Sequence, residues 1–506
     1  MAMRFTVIGH SALYIETSGP TILVDPWLAG SCYWRSWWHF PPTGDIEPAW
    51  LKPDYLYLTH DHFDHFHYPS IRRLDRATHV LVPKFGIDFM VGEFRRLGFD
   101  TITEIPHGRE RELAPGVRIG SFQYAFDDTL LVVVDGDTSI WDVNDCKIRG
   151  KPLRKIVRTF GTPDIALKSH SFAQGYPNCY DADDPRDLGR ITKQTFIDDF
   201  SEAIDEIQPR VAVPFASMVG FLHPETRHCN EFLVTPPEVK AAYEASHAGS
   251  STEVVTMAPG DSWDSVTGFT RAAFDWYAER DEHLSELADI VEPAIVRSRH
   301  EESQRTLTFA EFAEFFGRFL DAVPPLSGRL AVRRPIAFEI ADTEEPEPSR
   351  ARATSGEGEG GDRRYWVVDV RHARVFETGE LPTETASIIA VPRGVLADAI
   401  ANTIVHYVHI SMRFHTRLLP GGTGDDLAFW GLLTIWELGY FPTRRVLRPR
   451  MLAVGWRRRA ELFQAAGRAL GRGGSFVDRM SGQLASPSDD ELGDAPRGRP
   501  GVGSSR

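Results

Sequence analysis

Cysteine is scarce in this sequence. Its 506 residues hold four, Cys32, Cys146, Cys179 and Cys229, too few for a disulfide scaffold in so long a chain. Long apolar runs are missing too: no stretch of 18 or more apolar residues exists to span a bilayer. The opening MAMRFTVIGH has no apolar core followed by a small-residue cleavage site. The expectation is a cytoplasmic protein without a membrane span. Basic residues are in deficit, 56 Lys and Arg against 71 Asp and Glu, for a formal charge of -15. An acidic chain gains no counterion release on a phosphate backbone, which argues against a nucleic-acid partner. Glycine-rich phosphate loops are also lacking. No G-x-G-x-x-G opens a helix and no G-x-x-x-x-G-K-[ST] occurs, so no built-in NAD, flavin or ATP site is expected. What remains is ordinary globular composition, 42% hydrophobic and 25% charged, in a chain too long for one compact core.

The chain divides by changes of character. Phe5 to Glu16 alternates between apolar and polar positions, Thr21 to Val24 is a short apolar run ending at Asp25, and Tyr55 to Leu58 is another, ending at Thr59-His60. Both runs end in residues that can react or ligate, at strand ends where such side chains usually collect. A helix is expected near Thr192 to Ile207 and a strand from Arg210 to Pro214. These belong to a first domain over residues 1–267. A helical connection follows over 268–341, with a Thr308–Glu311 capping box and Phe309, Phe312, Phe316 and Leu320 at helical spacing. Residues 342–364 are Pro-, Gly- and Glu-rich and read as a disordered insert. A C-terminal α+β domain is expected over 365–482, and a disordered tail over 483–506.

The sharpest feature is Thr59-His60-Asp61-His62-Phe63-Asp64-His65. Alternate residues of an extended loop project the same way, so His60 and His62 can bind one ion. Asp64 and His65 can face a second ion alongside. Imidazole suits zinc, iron, copper and nickel, and added carboxylates shift the balance toward iron or manganese. The plain alternative is a solvated polar loop, for which three adjacent histidines have little structural use.

H-x-H-x-D-H after a strand, with Asp25 ending the strand before it, resembles the metallo-β-lactamase fold, an αββα sandwich with a dinuclear metal site. Asp25-Pro26-Trp27 with Trp37-Trp38, Asn144-Asp145-Cys146, and Pro214-Phe215-Ala216 leading to His223-Pro224 are similar to the corresponding domain of the CMP-N-acetylneuraminate hydroxylases. The resemblance covers residues 4 to 265. It implies Asp145 as the bridging ligand and His223 as the late histidine. Two departures stand out. Those hydroxylases carry a Rieske cluster, which needs C-x-H and C-x-x-H pairs, and none of the four cysteines stands in one. The usual third histidine is replaced by carboxylates, so Asp128 or Asp127 is expected to complete the first ion's shell.

That exchange adds hard, negative oxygen, which suits iron better than a hydrolytic zinc. The pattern is similar to the nonheme diiron monooxygenases of this fold that hydroxylate natural-product intermediates. The resemblance implies two iron ions, O2 as co-substrate and an external electron donor. The implied substrate is a large apolar intermediate of antibiotic biosynthesis, such as a diterpenoid of the platensimycin type, free or linked to a carrier or CoA. His60, His62 and Asp128 would hold one iron and Asp64, His65 and His223 the other. Asp145 would bridge them, and Asp64 and Asp145 would be the catalytic carboxylates. The alternative is a zinc hydrolase with a metal-bound hydroxide oriented by Asp64.

Weaker signals leave two readings each. His170 is a ligand, a donor that orients one, or a histidine bonded to backbone. His10, after a strand end, lies under the metal site or merely packs. Trp34, Trp37 and Trp38 form the wall of a substrate pocket or an interdomain packing surface. The C-terminal domain is faintly similar to sterol-carrier folds; a lid or homodimer-forming domain fits equally well.

Overall fold

The computed structural model describes residues 3–87, 89–125, 128–189, 191–272, 274–324, 328, 330–341 and 364–469. Asp127, residues 342–363 of the expected insert and the expected tail lie outside the described residues.

Two sheets face each other in the N-terminal half. The first has eight strands in the order Gly268–Thr270, Ser262–Asp264, Arg4–Gly9, Ala12–Glu16, Thr21–Val24, Tyr55–Tyr57, His79–Pro83 and Ile102–Ile105. The second has seven: Glu253–Val254, Val211–Pro214, Ile165–Lys168, Thr138–Asn144, Asp128–Asp135, Val117–Tyr124 and Arg109–Ala114. Phe5, Val7, Ile15, Ile22 and Val24 of the first meet Leu131, Val133, Ile140, Ile165 and Leu167 of the second in one buried layer. Their odd-face partners are buried as well. Leu23, Leu56 and Val80 pack under Ile71 and Phe94 from one pair of helices. Trp141 and Val143 pack under Leu153, Ile156, Phe200 and Val239 from helices on the other side. Burial on both faces explains why Thr21–Val24 and Ile165–Lys168 are almost continuously apolar rather than alternating. The result is the αββα sandwich, with the metallo-β-lactamase fold in the N-terminal half.

Parallel pairing brings the functional loops to one rim. Thr21–Val24, Tyr55–Tyr57 and His79–Pro83 run parallel in one sheet, and Thr138–Asn144, Ile165–Lys168 and Val211–Pro214 in the other. Asp25, the His60–His65 loop, Asp145, His170 and Ala216 all follow the C-terminal ends of these strands.

A third sheet of six strands forms the C-terminal α+β region, ordered Tyr180–Ala182, His415–Leu418, Ser387–Pro392, Ile336–Ala341, Tyr365–Asp369 and Arg374–Thr378. Strand Ile336–Ala341 pairs with Ser387–Pro392, so this sheet begins ahead of the boundary at 365 expected from sequence. The insert interrupts a hairpin of the sheet instead of preceding it. Helix Phe309–Ala322 opens with a reciprocal Thr308–Glu311 cap, Thr308 N donating to Glu311 Oε2 at 2.8 Å. It buries Phe312, Phe315, Phe316 and Phe319 against Phe338 and Trp366. The same core takes in Trp27, Tyr33, Trp37, Phe172 and Phe221 from the N-terminal half. Among the described residues, no helix is long and apolar enough to cross a membrane.

Candidate metal centre

The centre is built on Asp25. This residue ends its strand with a φ of 43°, and its carboxylate is fully buried. It accepts from Thr59 N at 2.8 Å, Thr59 Oγ1 at 2.6 Å and Asn144 Nδ2 at 3.0 Å. It also holds His65 Nδ1 at 2.7 Å. A carboxylate on Nδ1 fixes the imidazole so that Nε2 carries the outward lone pair. His65 Nε2 lies 3.4 Å from Asp64 Oδ2 and 3.4 Å from Asp145 Oδ2, and has no hydrogen-bond partner despite being buried. A buried ring nitrogen without a partner, pointed between two carboxylates, fits a cation there.

Two groups of donors share this corner. His60, His65 and Asp145 form one, with ligand atoms all within 4.8 Å of one another; His10, Asp64 and His65 form the second. His62 adjoins the first, its Nδ1 3.0 Å from His60 Nε2. His10 reaches Asp64 from the turn after strand Arg4–Gly9, Nε2 to Oδ2 at 2.8 Å. Its carbonyl accepts from Ala216 N at 3.0 Å, which ties the turn to the opposite sheet. Tyr33 OH donates to the other oxygen, Asp64 Oδ1, at 2.5 Å.

The charges are poised for an ion. Burial, reinforced by His65 and His62, pushes His60 well below the usual imidazole range, so the ring is neutral and its lone pair available. Burial alone would raise the Asp64 carboxyl, yet His65 and His10 hold it well below its ordinary value. Asp145 is likewise lowered against its burial, first by the adjacent His65 and also by His60 and Lys147. Burial opposes a charge on His65, but Asp64 and Asp25 raise it well above the ordinary value. A metal cation bound beside His65 would take over the neutralisation of Asp64 and Asp145.

The remaining expected residues are placed differently. Asp128 sits at the start of its strand, its Oδ2 3.8 Å from Lys147 Nζ, and joins neither donor group. Lys147 also acts on Asp145. His223 is fully buried, but its Nδ1 accepts from Glu225 N at 3.3 Å, and burial followed by the nearby Arg413 lowers it to about 3. It faces a buried ion-pair cluster in which Arg413 binds Glu225 at 2.9 Å and Glu302 at 2.8 Å. Its Nε2 is buried without a hydrogen-bond partner, and it joins neither donor group. His170 bonds Phe215 O through Nδ1 at 3.3 Å, its Nε2 buried without a partner. Burial lowers it to about 3, which leaves a neutral ring beside the rim.

The tryptophans bond to the C-terminal region and to their own loop. Trp37 is buried and donates to Ile410 O at 3.2 Å, and Trp34 donates to Asp398 Oδ2 at 2.8 Å, both in the C-terminal region. Trp38 donates to Arg35 O within its own loop and packs beside Phe40 and Leu284. Clefts of about 650 and 510 Å³ lie elsewhere, around Lys240–Tyr277 and around Arg305–Ala401, and no donor of the centre lines them.

Two contributors stand outside the ligand set expected from sequence. His10 was legible as a histidine after a strand end, but its reach to Asp64 depends on the pairing of both sheets. Tyr407 carried no local signal. It comes from helix His406–Ser411, donates to Asp61 O at 2.9 Å and packs on Phe63 with ring centroids 4.3 Å apart. The C-terminal region thereby covers the ligand loop.

Residues 4–140 match the family model described as "Beta-lactamase superfamily domain". A protein of Mycobacterium tuberculosis strain ATCC 25618 / H37Rv, provisionally named a Rieske 2Fe-2S iron-sulfur protein, is 30% identical over 285 residues, 53% of this chain and 54% of its own length. Cytidine monophosphate-N-acetylneuraminic acid hydroxylase of Mus musculus is 23% identical over 262 residues, 45% of this chain and 41% of its own. The chain therefore spans about half the length of the curated relatives it matches. Among solved structures, CmlA, a diiron beta-hydroxylase from Streptomyces venezuelae, aligns at 20% identity over 50% of this chain and 53% of that one, with a TM-score of 0.36.

Proposed function

We propose that this chain is a nonheme diiron, O2-dependent hydroxylase. The observation that carries the reading is the unpartnered His65 Nε2, held by Asp25 and aimed between Asp64 and Asp145. His60, His62 and Asp145 would hold one iron and His10, Asp64 and His65 the other, with Asp145 placed to bridge. Two aspartates among four imidazoles give a donor set hard enough for iron in more than one oxidation state. When bound, such a pair supplies O2 activation and a two-electron oxidation of a C–H bond. Similarity to a named hydroxylase of CMP-N-acetylneuraminic acid supports oxidation over hydrolysis.

The chain's own residues do the rest. Asp25 keeps the His65 proton on Nδ1, so Nε2 stays a ligand. Tyr33, whose phenol is pushed well above its ordinary value by burial and by Asp64, remains a donor and orients the Asp64 carboxylate. Phe63 and Tyr407 screen the ligand loop from water. On this reading the substrate is a large apolar natural-product intermediate, such as a diterpenoid. On the same reading an external donor provides the electrons.

The test is the metal content of protein purified without added metal, with its visible spectrum. About two irons per chain with an oxo-to-iron charge-transfer band is the expected result. Zinc alone, with turnover of a generic ester or phosphodiester, would make the protein a hydrolase instead.

A further inference from the structure

We propose a second, separate metal site, formed by Cys179, His228 and Cys229, that takes one zinc or similarly thiophilic ion with a fourth position open. The ligand atoms of these three residues all lie within 4.8 Å of one another. Cys229 Sγ is 3.5 Å from His228 Nε2. A tetrahedral ion with a metal–sulfur bond of about 2.3 Å and a metal–nitrogen bond of about 2.0 Å sets that edge at about 3.5 Å. The observed spacing already matches a shared ion.

The surroundings fit the same chemistry. Cys179 and Cys229 are buried, 1% and 0% exposed, within an aromatic core that includes Phe172, Phe221 and Tyr180. Cys179 Sγ also lies 3.7 Å from Met412 O, a weak contact for a thiol. A bound cation would hold both sulfurs as thiolates, and soft sulfur with one imidazole selects zinc over the harder ions favoured at the His60–Asp145 centre. His228 is half-exposed, which leaves one side of the triad open to solvent for entry and for a water ligand.

The triad also stands at a joint of the fold. Cys229 lies in the 3-10 turn Arg227–Phe232, which Asn230 ties to Phe221 by bonds of 2.9 and 2.8 Å. Cys179 precedes strand Tyr180–Ala182, which pairs with His415–Leu418 of the C-terminal sheet, and its carbonyl accepts from Thr416 N at 2.9 Å. An ion here would clip the rim of the αββα sandwich to the edge of the C-terminal sheet.

Cobalt(II) titration of the full, reduced chain tests this, since only sulfur ligands give a thiolate-to-cobalt charge-transfer band and the other centre has nitrogen and oxygen donors alone. The expected result is a near-ultraviolet band of one ion's intensity at saturation, which disappears in Cys179→Ser and in Cys229→Ser with one bound ion fewer in each variant. Absence of the band from the wild-type chain overturns the proposal without reference to any variant. So does a band that survives both serine substitutions, or the two cysteines isolated as a disulfide that binds no cobalt after reduction.

Discussion

His10 and Asp64 meet at 2.8 Å, Nε2 to Oδ2, although they stand 54 positions apart in the chain. The contact spans the turn after the first strand and the H-x-H-x-D-H loop, and it gives the second donor group its third member. Replacing His10 with Ala should therefore cost one of two bound ions while the fold is kept. Metal content by elemental analysis, with circular dichroism as the check on folding, reads this directly. Two ions retained at wild-type affinity would reduce His10 to packing.

Asp25 should matter without touching an ion. It accepts from Thr59 and Asn144 and fixes His65. Asp25→Asn replaces an acceptor with a group that presents its own donors to His65 Nδ1, so the ring loses its imposed tautomer. The expected loss is about 10- to 100-fold in metal affinity, measured by competition with a chelator. Unchanged affinity would mean that His65 is oriented by packing alone.

Tyr33→Phe removes the donor to Asp64 Oδ1. A buried hydrogen bond to a charged acceptor contributes about 1.5–3 kcal/mol, so the ion-free variant should lose about that much unfolding free energy in a denaturant titration. In the metal-loaded protein the ion takes up part of the Asp64 charge, and the gap between variant and wild type should narrow. Equal losses in both forms would place the effect in packing of the ring.

Asp426 sets a pH dependence in the C-terminal region, away from the metal centre. It is fully buried and accepts from Ser387 Oγ at 2.6 Å and Tyr180 OH at 2.9 Å. Burial nevertheless pushes its carboxyl up to about 6. A carboxyl raised on folding favours the folded state most when protonated. Its contribution is full below the unfolded value near pH 3.9, fades as pH rises to about 6, and is flat beyond. The shift corresponds to about 3 kcal/mol. Asp426→Asn should remove this slope from a stability–pH curve between pH 4 and 6; an unaltered slope would assign it to other groups.

Much of the αββα sandwich can be read in advance because its strands end in the residues that matter. Asp25 closes one apolar run and Thr59-His60 the next, and parallel pairing then puts both ends on the same rim. The metal loop is legible for the same reason, since six neighbouring positions carry most of its donors. The distant contributors are not. His223 stands after a strand in a segment similar to the hydroxylases, yet it accepts from the backbone N of Glu225, whose carboxylate binds Arg413 of the C-terminal region. Asp128 lies 3.8 Å from Lys147, which follows the next strand. No local pattern records either neighbour. The tryptophan loop shows the same limit: apolar rings at a rim suit a pocket wall or a domain interface, and only the position of Ile410 and Asp398 places them in the interface.

Anaerobic titration of the ion-free chain with ferrous salt, followed by desalting and iron analysis, tests the central claim most directly. Two irons retained per chain in the wild type, fewer in His60→Ala and in Asp145→Ala, is the result expected. A wild-type chain that folds fully and retains no iron would contradict the account.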